Sequence, residues 1–344
     1  MHLLSRLLLR NASRFYGSAN ILLINPPADL PWRDLFAGAE EVSLFSQDFA
    51  DCRTLRASGA EVEFGVVPHE SGTSPDTILL ALPREKERLR MLLHWCSVRL
   101  PPRGRFFVAG ENLAGGRSAG RHLRDRFDRV SKRDSARHCT LFEAGSPRRT
   151  EPFGLDRYLR TWRQPDGARG VRVSSLPGVF SHGGTDSGTA LLLDNLAAIA
   201  PAGRVLDFGC GSGVIGLATK ALNPGIRLSF CDSNAAALEA TRRSLEMNGM
   251  QAEITASSGF CDLSGPFDFI LTNPPFHEGH RTRSELSIGL LAPVRNFLAP
   301  GGQLVLVVNR HLPYARWLES EFGEYRELAG NRHFRLLHAV KSGS

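Results

Sequence analysis

A glycine-rich segment, DFGCGSG at 207–213, has the composition of a ligand-binding turn. Its three glycines, Gly209, Gly211 and Gly213, allow the backbone to approach a ligand without interference from a Cβ atom. The segment stands between a predicted strand and a predicted helix, so the helix start offers unpaired N–H groups as well. The Asp207 carboxylate in front of the glycines would repel a pyrophosphate and suits a cationic or amino-acid-like ligand.

Two other interpretations of this segment stay open. Gly216 completes a G-x-G-x-x-G pattern that starts at Gly211, which is the spacing of nicotinamide dinucleotide sites. A purely structural glycine turn would also explain the pattern. Further along, Asp232 ends the next predicted strand, about 25 residues after Asp207, where a carboxylate can accept hydrogen bonds from ribose hydroxyls. A helix N-cap is the alternative role for Asp232.

A second motif, Asn273-Pro274-Pro275-Phe276, follows the predicted strand FDFILTN at 267–273. The prolines stiffen the turn and push the residue before them into an extended conformation. Oδ1 of Asn273 and a proline-flanked carbonyl could accept both hydrogens of an aryl amine, which favours a pyramidal nitrogen as it attacks a methyl group. Phe276 could stack on a base, which is worth about 1–3 kcal/mol. A paired base would first have to flip out of its helix. A structural proline-rich turn is the alternative.

The elements that must position these motifs alternate between strands and helices through the second half of the chain. Their predicted bounds are 205–209, 226–232, 252–257, 267–273, 303–309 and 334–340 for strands, and 213–222, 234–247, 284–298 and 313–322 for helices. This alternation predicts an α/β fold with a parallel sheet that is covered on both faces.

The first half contains a degraded copy of this pattern. DTILLALP at 76–83 parallels DFILTNP at 268–274, and ARHCTLFEA at 136–144 parallels NRHFRLLHA at 331–339. A duplicated domain explains both pairs. Chance similarity is the alternative, because few segments align.

Prolines and glycines cluster between about 145 and 175, which places the boundary there. The predicted organisation is a first domain at 1–150, a linker at 151–170 and a catalytic domain at 171–344. Asn25-Pro26-Pro27 in the first domain has no glycine loop upstream, so we expect no catalytic role for it. His277-Glu278-Gly279-His280 resembles a zinc motif but is one residue too short, and no metal is expected.

Composition points to a polyanionic partner. The net charge is +7 with a pI near 9.4, and residues 117–172 hold 15 Lys and Arg against 7 Asp and Glu. A solvated basic face is the alternative interpretation of that stretch. The six cysteines form no C-x-x-C pair, which fits a reducing cytoplasm. The opening apolar run is broken by Arg6 and is too short to span a bilayer, so it is predicted to be a first helix and no membrane association is expected.

The glycine segment, Asp232 and the NPPF motif together resemble class I methyltransferases that modify amino groups. More narrowly, the chain resembles the ribosomal RNA small subunit methyltransferase C family. The resemblance spans most of the chain and rests on SLPGVFSHGGTDSG (175–188), NPPFHEGH (273–280), VVNRHLPY (307–314), VAGEN (108–112) and DSARHC (134–139).

The resemblance implies two tandem Rossmann-like class I methyltransferase domains, of which the N-terminal one is degenerate and serves rRNA binding or structural support. It implies S-adenosyl-L-methionine as the cofactor and methylation of the exocyclic N2 amine of one guanine. The implied partner is small-subunit rRNA or the assembling small ribosomal subunit, and the expected state is a cytoplasmic monomer with an internal duplication.

The resemblance also implies roles for individual residues. Gly209, Gly211 and Gly213 would cradle the methionine part of the cofactor, and Asp232 would hold the ribose. Asn273 and Phe276 would address the guanine. The remaining candidates for cofactor contacts are Asp207, Ser233, Ser258, Phe180 and Asp186.

One departure concerns adenine recognition. Many relatives carry Asp or Asn at the end of the third strand, where this chain has Ser258. A hydroxyl can accept the same hydrogen bond, and the nearby Asp262 is a candidate substitute.

Other functions stay open at this point. The amine could belong to a large-subunit rRNA guanine, to an adenine or to a protein glutamine. Phe276 argues against the last two, whose enzymes usually carry tyrosine there. A non-catalytic rRNA-binding assembly factor is the third possibility, and the intact glycines argue against it.

Overall fold

The computed structural model describes residues 1–69, 74–148, 151–164, 170–274 and 288–343. The chain forms two compact units, Met1–Tyr158 and Leu159–Ser344. Among the described residues, no helix combines the length and the apolar character needed to cross a bilayer.

The first unit alternates helices and strands. Its helices are α1 Leu3–Arg10, α2 Trp32–Leu35, α3 Phe49–Ala57, α4 Lys86–Arg99 and α5 Ala119–Arg124. Its strands are β1 Asn20–Ile24, β2 Glu41–Ser46, β3 Val62–Phe64, β4 Thr77–Ala81, β5 Arg105–Glu111, β6 Phe127–Ala136 and β7 Cys139–Pro147. The predicted first helix is confirmed as α1.

The strands of the first unit form one sheet in the order β3-β2-β1-β4-β5-β7-β6. β1 to β5 run parallel, whereas β7 is antiparallel to both of its neighbours. Apolar residues are buried on both faces of the sheet. Leu23 packs in a cluster with Leu7 of α1, and Ile24 packs in a cluster with Leu92 of α4. The sheet therefore forms the middle layer of the unit.

The second unit repeats this plan after a two-stranded hairpin. Its strands are β8 Arg160–Arg163, β9 Arg172–Ser175, β10 Arg204–Phe208, β11 Arg227–Asp232, β12 Glu253–Ala256, β13 Phe267–Thr272, β14 Leu298–Asn309, β15 Tyr325–Gly330 and β16 Phe334–Val340. Its helices are α6 Ser187–Ile199, α7 Val214–Leu222, α8 Ala235–Asn248, α9 Val294–Phe297 and α10 Tyr314–Phe322.

The second sheet has the order β12-β11-β10-β13-β14-β16-β15. Counted along the chain within each sheet, its strands follow the same order as those of the first sheet. The sheet is mixed rather than purely parallel, because β16 is antiparallel to β14 and β15. Only residues 331–333 connect β15 to β16, and so short a connection cannot make the crossover that parallel strands need. The prediction of a wholly parallel sheet was wrong at this edge.

Two aspartates support the duplication in atomic detail. Asp76 precedes β4, and its Oδ2 accepts hydrogen bonds from the N–H groups of Ala19 and Asn20 at 2.8 and 2.9 Å. Asp268 lies in β13, and its Oδ2 accepts from the N–H of Arg204 at 2.7 Å. Each carboxylate thus accepts hydrogen bonds from the backbone at the start of the neighbouring central strand, which is β1 in the first unit and β10 in the second. These are the aspartates that the aligned segments DTILLALP and DFILTNP share.

Several elements of the second unit depart from the prediction. Helix α6 and strands β8, β9 and β15 were not predicted, and β14 begins at Leu298 rather than at the predicted residue 303. Of the helix predicted at 284–298, residues 284–287 lie outside the described part of the chain. Leu298 already belongs to β14, where it pairs with Phe267.

Candidate active site

The glycine segment forms a left-handed turn between β10 and α7. Gly209, Gly211 and Gly213 have φ angles of 67°, 56° and 76°, which favour glycine strongly over other residues. A Cβ atom added to Gly209 would meet nothing within 4 Å, and one on Gly211 would meet only Val179, at 3.9 Å. These two glycines therefore leave open space beside the backbone at the carboxyl end of the central strand.

Packing restricts Gly216 to glycine and gives Gly213 a second reason to be glycine, in addition to its φ angle. A Cβ atom on Gly213 would lie 2.9 Å from Thr241 Oγ1, and one on Gly216 would lie 2.3 Å from Phe230 Cε1. Both positions are closed by packing against α8 and β11. This packing accounts for Gly216, the residue that completed the dinucleotide-type spacing.

Asp207 lies beneath the turn and is fully buried. Its Oδ2 accepts a hydrogen bond from the N–H of Gly216 at 2.8 Å. Its Oδ1 is buried and finds no hydrogen-bond partner among the described residues. Burial raises the pKa of this carboxyl to about 8, the Gly216 bond opposes the shift, and the nearby Asp232 adds to it. A cationic group above the turn would stabilise the ionised form.

Asp232 ties the glycine turn to the end of β11. Its Oδ2 accepts from the N–H of Gly211 at 3.0 Å, and its Oδ1 accepts from the N–H of Asn234 at 2.9 Å. The N-cap of α8 is Asn234, whose side chain accepts from Ala236 N at 3.0 Å. Asp232 is half-buried beside the turn, and the adjacent Ser233 is also half-buried.

The residue that follows strand β12 also contacts Asp232. Ser257 donates its N–H to the Asp232 carbonyl at 3.1 Å, and its hydroxyl donates to the Gly259 carbonyl at 2.8 Å. Ser258 follows and is half-buried, whereas Asp262 is exposed.

Asn273 follows β13 directly. Its Nδ2 donates to Thr189 Oγ1 at 2.8 Å and faces the two carboxylate oxygens of Asp186 at 3.3 and 3.4 Å. Its Oδ1 is buried and has no hydrogen-bond partner within the described ranges. Pro274 is buried. Pro275 and Phe276 lie outside the described residues, as do His277-Glu278-Gly279-His280.

The segment before α6 lies over the glycine turn. Asn234 Nδ2 donates to the Gly178 carbonyl at 2.6 Å, and Val179 lies beside Gly211. The neighbouring Phe180 is 61% exposed, so its ring is available to a ligand or a substrate. Asp186 is the N-cap of α6 and accepts from the N–H groups of Gly188 and Thr189.

Thr189 was missed by the sequence analysis. It is buried on the first turn of α6, 84 residues before Asn273 in the chain. The available signal was the Asp-Ser-Gly-Thr segment, in which an N-cap aspartate precedes a first-turn hydroxyl.

In the first unit, the turn that corresponds to the glycine turn is closed by hydrogen bonds between Asn25 and Gln47. Asn25 follows β1 and has a φ of 53°, so the left-handed conformation of this position is shared with Gly209. Asn25 Nδ2 donates to Gln47 Oε1, and Asn25 Oδ1 accepts from Gln47 N, both at 2.9 Å. This amide pair connects the ends of β1 and β2.

The fold is that of a methyltransferase. The family described as "Methyltransferase small domain" matches residues 170–338, and "Methyltransferase small domain N-terminal" matches residues 5–162. The chain belongs to the ribosomal RNA small subunit methyltransferase C family. It is 35% identical to the member from Aeromonas hydrophila, with 96% of each chain covered, and 34% identical to the member from Shewanella amazonensis, with 96% of this chain and 97% of the relative covered.

A solved structure has the same fold over nearly the whole chain. It is a 16S rRNA N2 methyltransferase from T. thermophilus in complex with AdoMet and guanosine. The TM-score is 0.85 at 24% sequence identity, and the match covers 99% of this chain and 92% of that one.

Proposed function

We propose that this protein transfers a methyl group from S-adenosylmethionine to the exocyclic N2 amine of a guanine in small-subunit rRNA. The observation that carries the proposal is the pairing of an open glycine turn with an amide oxygen, Asn273 Oδ1, that lacks a hydrogen-bond partner among the described residues. Membership of the methyltransferase C family supplies the substrate class, since its curated members act on small-subunit rRNA by name.

The residues at the turn fit the cofactor. Open space beside Gly209 and Gly211 accommodates a ligand against the backbone, and the buried Asp207 suits an ammonium group above it. Asp232 offers a carboxylate to ribose hydroxyls, and Ser233, Ser258, Phe180 and Asp186 complete the proposed set of contacts around the pocket. The cofactor supplies an electrophilic methyl group on a sulfonium sulfur, which leaves as a neutral thioether.

Asn273 prepares the amine for attack. The N2 lone pair is delocalised into the guanine ring, so the free amine is a poor nucleophile. By accepting an N–H hydrogen, Oδ1 favours a pyramidal nitrogen whose lone pair forms the new N–C bond while the C–S bond breaks and sulfur keeps its electron pair. The alkylated nitrogen then loses one proton, and no strong base is required. Pro274 and Pro275 are proposed to stiffen the chain after Asn273, and Phe276 is proposed to stack on the base.

The first unit is proposed to be a degenerate copy that supports rRNA binding or the structure of the enzyme. Asn25 stands where the second unit has Gly209, and its amide pair with Gln47 occupies the end of the strand. Residues 1–150 form this domain, 151–170 the linker and 171–344 the catalytic domain. The proposed enzyme is a cytoplasmic monomer that acts on rRNA or on the assembling subunit. The basic stretch 117–172 would contribute affinity that weakens as salt rises.

A methylation assay tests the function. Purified protein is incubated with radiolabelled S-adenosylmethionine and either naked small-subunit rRNA, assembled small subunits or large-subunit rRNA. The expected result is label in N2-methylguanosine of small-subunit rRNA. Label confined to large-subunit rRNA, or its absence from all three substrates, would overturn the assignment.

A further inference from the structure

We propose that Asp186 and Thr189 are positioning residues, in that Asp186 determines which atom of the Asn273 amide faces the substrate and the Thr189 hydroxyl holds the amide in place; the inference rests on the function proposed above. A carboxamide is nearly symmetrical in shape, so a half turn of the group exchanges the acceptor Oδ1 for the donor Nδ2. Only the orientation with Oδ1 towards the amine accepts its hydrogen. The catalytic contact therefore needs a device that prevents the half turn.

The contacts of Nδ2 form that device. Nδ2 of Asn273 donates to Thr189 Oγ1 at 2.8 Å and faces the carboxylate oxygens of Asp186 at 3.3 and 3.4 Å. An ionised carboxylate can only accept hydrogen bonds. A half turn would place the amide oxygen against that carboxylate and bring like partial charges together. The observed orientation is thus the favourable one.

Asp186 is itself held in place. Its Oδ1 accepts from the N–H groups of Gly188 and Thr189 at 2.9 and 3.2 Å, which makes it the N-cap of α6. The amide orientation is therefore fixed by the start of a 13-residue helix rather than by a mobile side chain. On the other side, Asn273 is held at the end of β13 and is followed by the buried Pro274.

With Nδ2 engaged by Thr189 and Asp186, the other amide atom of Asn273, Oδ1, is left among the described residues as a free hydrogen-bond acceptor. Oδ1 of Asn273 is buried and has no hydrogen-bond partner in the described part of the chain. A buried acceptor without a donor is unfavourable, and a substrate amine would supply the missing hydrogen. Because the bond strengthens as the nitrogen becomes pyramidal, correct orientation should raise kcat more than it raises substrate affinity.

A matched pair at Thr189 tests the inference. Thr189→Val keeps the shape of the side chain but removes the acceptor, whereas Thr189→Ser keeps the hydroxyl. We expect Thr189→Val to lower kcat by about 3- to 10-fold, the effect of one neutral hydrogen bond. The KM for rRNA and the Kd for S-adenosylmethionine should stay near the wild-type values. Thr189→Ser should recover most of the lost rate.

A second variant separates orientation from helix capping. Asp186→Asn can still cap α6, because asparagine is as good an N-cap as aspartate. Its own amide would, however, face Nδ2 of Asn273 with a donor and can donate to Oδ1 of a reversed Asn273, so the reversed orientation becomes the favoured one. We expect kcat to fall about 3- to 10-fold, again by the weight of one hydrogen bond, with thermal stability retained. Asp194→Asn removes an exposed carboxylate from the same helix and should keep the wild-type rate.

The outcomes distinguish this inference from the function on which it rests. Wild-type kcat in both Thr189→Val and Asp186→Asn overturns the positioning role, and so do equal losses in Thr189→Val and Thr189→Ser. A raised Kd for the cofactor with kcat unchanged in Thr189→Val assigns Thr189 to cofactor binding instead and also overturns the inference. Failure of the wild-type protein to methylate small-subunit rRNA removes the proposed function, and the inference with it.

Discussion

The Asp232 carboxylate accepts a hydrogen bond from the backbone N–H of Gly211 at 3.0 Å, across the gap between the ends of β11 and β10. The same carboxylate accepts from Asn234 at the start of α8. One side chain therefore fixes the glycine turn and stands beside the open space that the turn leaves. The Asp232 carboxylate therefore both holds the glycine turn in its conformation and places a negative charge at the edge of the proposed cofactor pocket.

Asp232→Ala should weaken cofactor binding. Removing a charged hydrogen-bond acceptor typically costs about 1.5–3 kcal/mol, which corresponds to a roughly 10- to 100-fold higher Kd for S-adenosylmethionine. Isothermal titration measures it, with Asp194→Ala as a control that removes an exposed carboxylate from α6. An unchanged Kd would show that the ribose assignment is wrong.

Asn273→Ala should abolish methyl transfer while leaving cofactor binding nearly intact. The substitution removes the side-chain oxygen proposed to accept an amine hydrogen, and the Asp232 contacts with the glycine turn do not involve Asn273. Single-turnover assays and isothermal titration on the same preparation separate the two effects. Loss of cofactor affinity would indicate a structural role for Asn273, and retained turnover would refute its catalytic role.

Gly216→Ala should destabilise the protein. The added methyl group would lie 2.3 Å from Phe230 Cε1 and 2.7 Å from Phe230 Cζ, so the ring must move. Overpacking of this kind costs about 1–3 kcal/mol. Thermal unfolding of the full chain checks the prediction against Gly184→Ala, whose methyl group would meet nothing within 4 Å. Equal melting temperatures in the two variants would contradict the packing explanation.

The stability of the first unit should fall at acidic pH because of His94. The ring is buried, with Nδ1 2.7 Å from Tyr158 Oη and Nε2 3.3 Å from the Glu151 carbonyl. Burial lowers the pKa of His94, and the smaller effects of Arg126 and Arg157 act in the same direction. The unfolded chain then binds more protons than the folded one, so this stabilisation is present above pH ~6.5 and is lost as the pH falls below it.

Urea unfolding at pH 7.5 and 5.5 measures this dependence. The midpoint should drop at the lower pH in the wild-type protein and drop less in His94→Gln, which cannot take up the proton. Parallel losses in both proteins would assign the acid sensitivity to other groups.

Much of the fold could be predicted from sequence because its strands are short, apolar and bounded by glycine and proline. Strand β15 could not, since most of its residues are exposed at the sheet edge and carry no apolar alternation. The family resemblance is confirmed by the comparisons with known proteins.

The site was predictable only in part. Local motifs identified Gly209, Gly211 and Asn273 as candidates. The distinction between glycines that face open space and Gly213, which is needed for packing, depends on where Thr241 lies. Contacts between residues 84 positions apart, such as that of Thr189 with Asn273, follow from the fold and not from spacing.

Mass-spectrometric mapping of small-subunit rRNA from cells that lack this protein measures the proposed methylation directly. We expect one N2-methylguanosine to disappear, to return with the wild-type gene, and not to return with the Asn273→Ala variant. An unchanged set of methylated guanosines in the deletion strain would refute the proposed activity, and full restoration by Asn273→Ala would refute the catalytic role of Asn273.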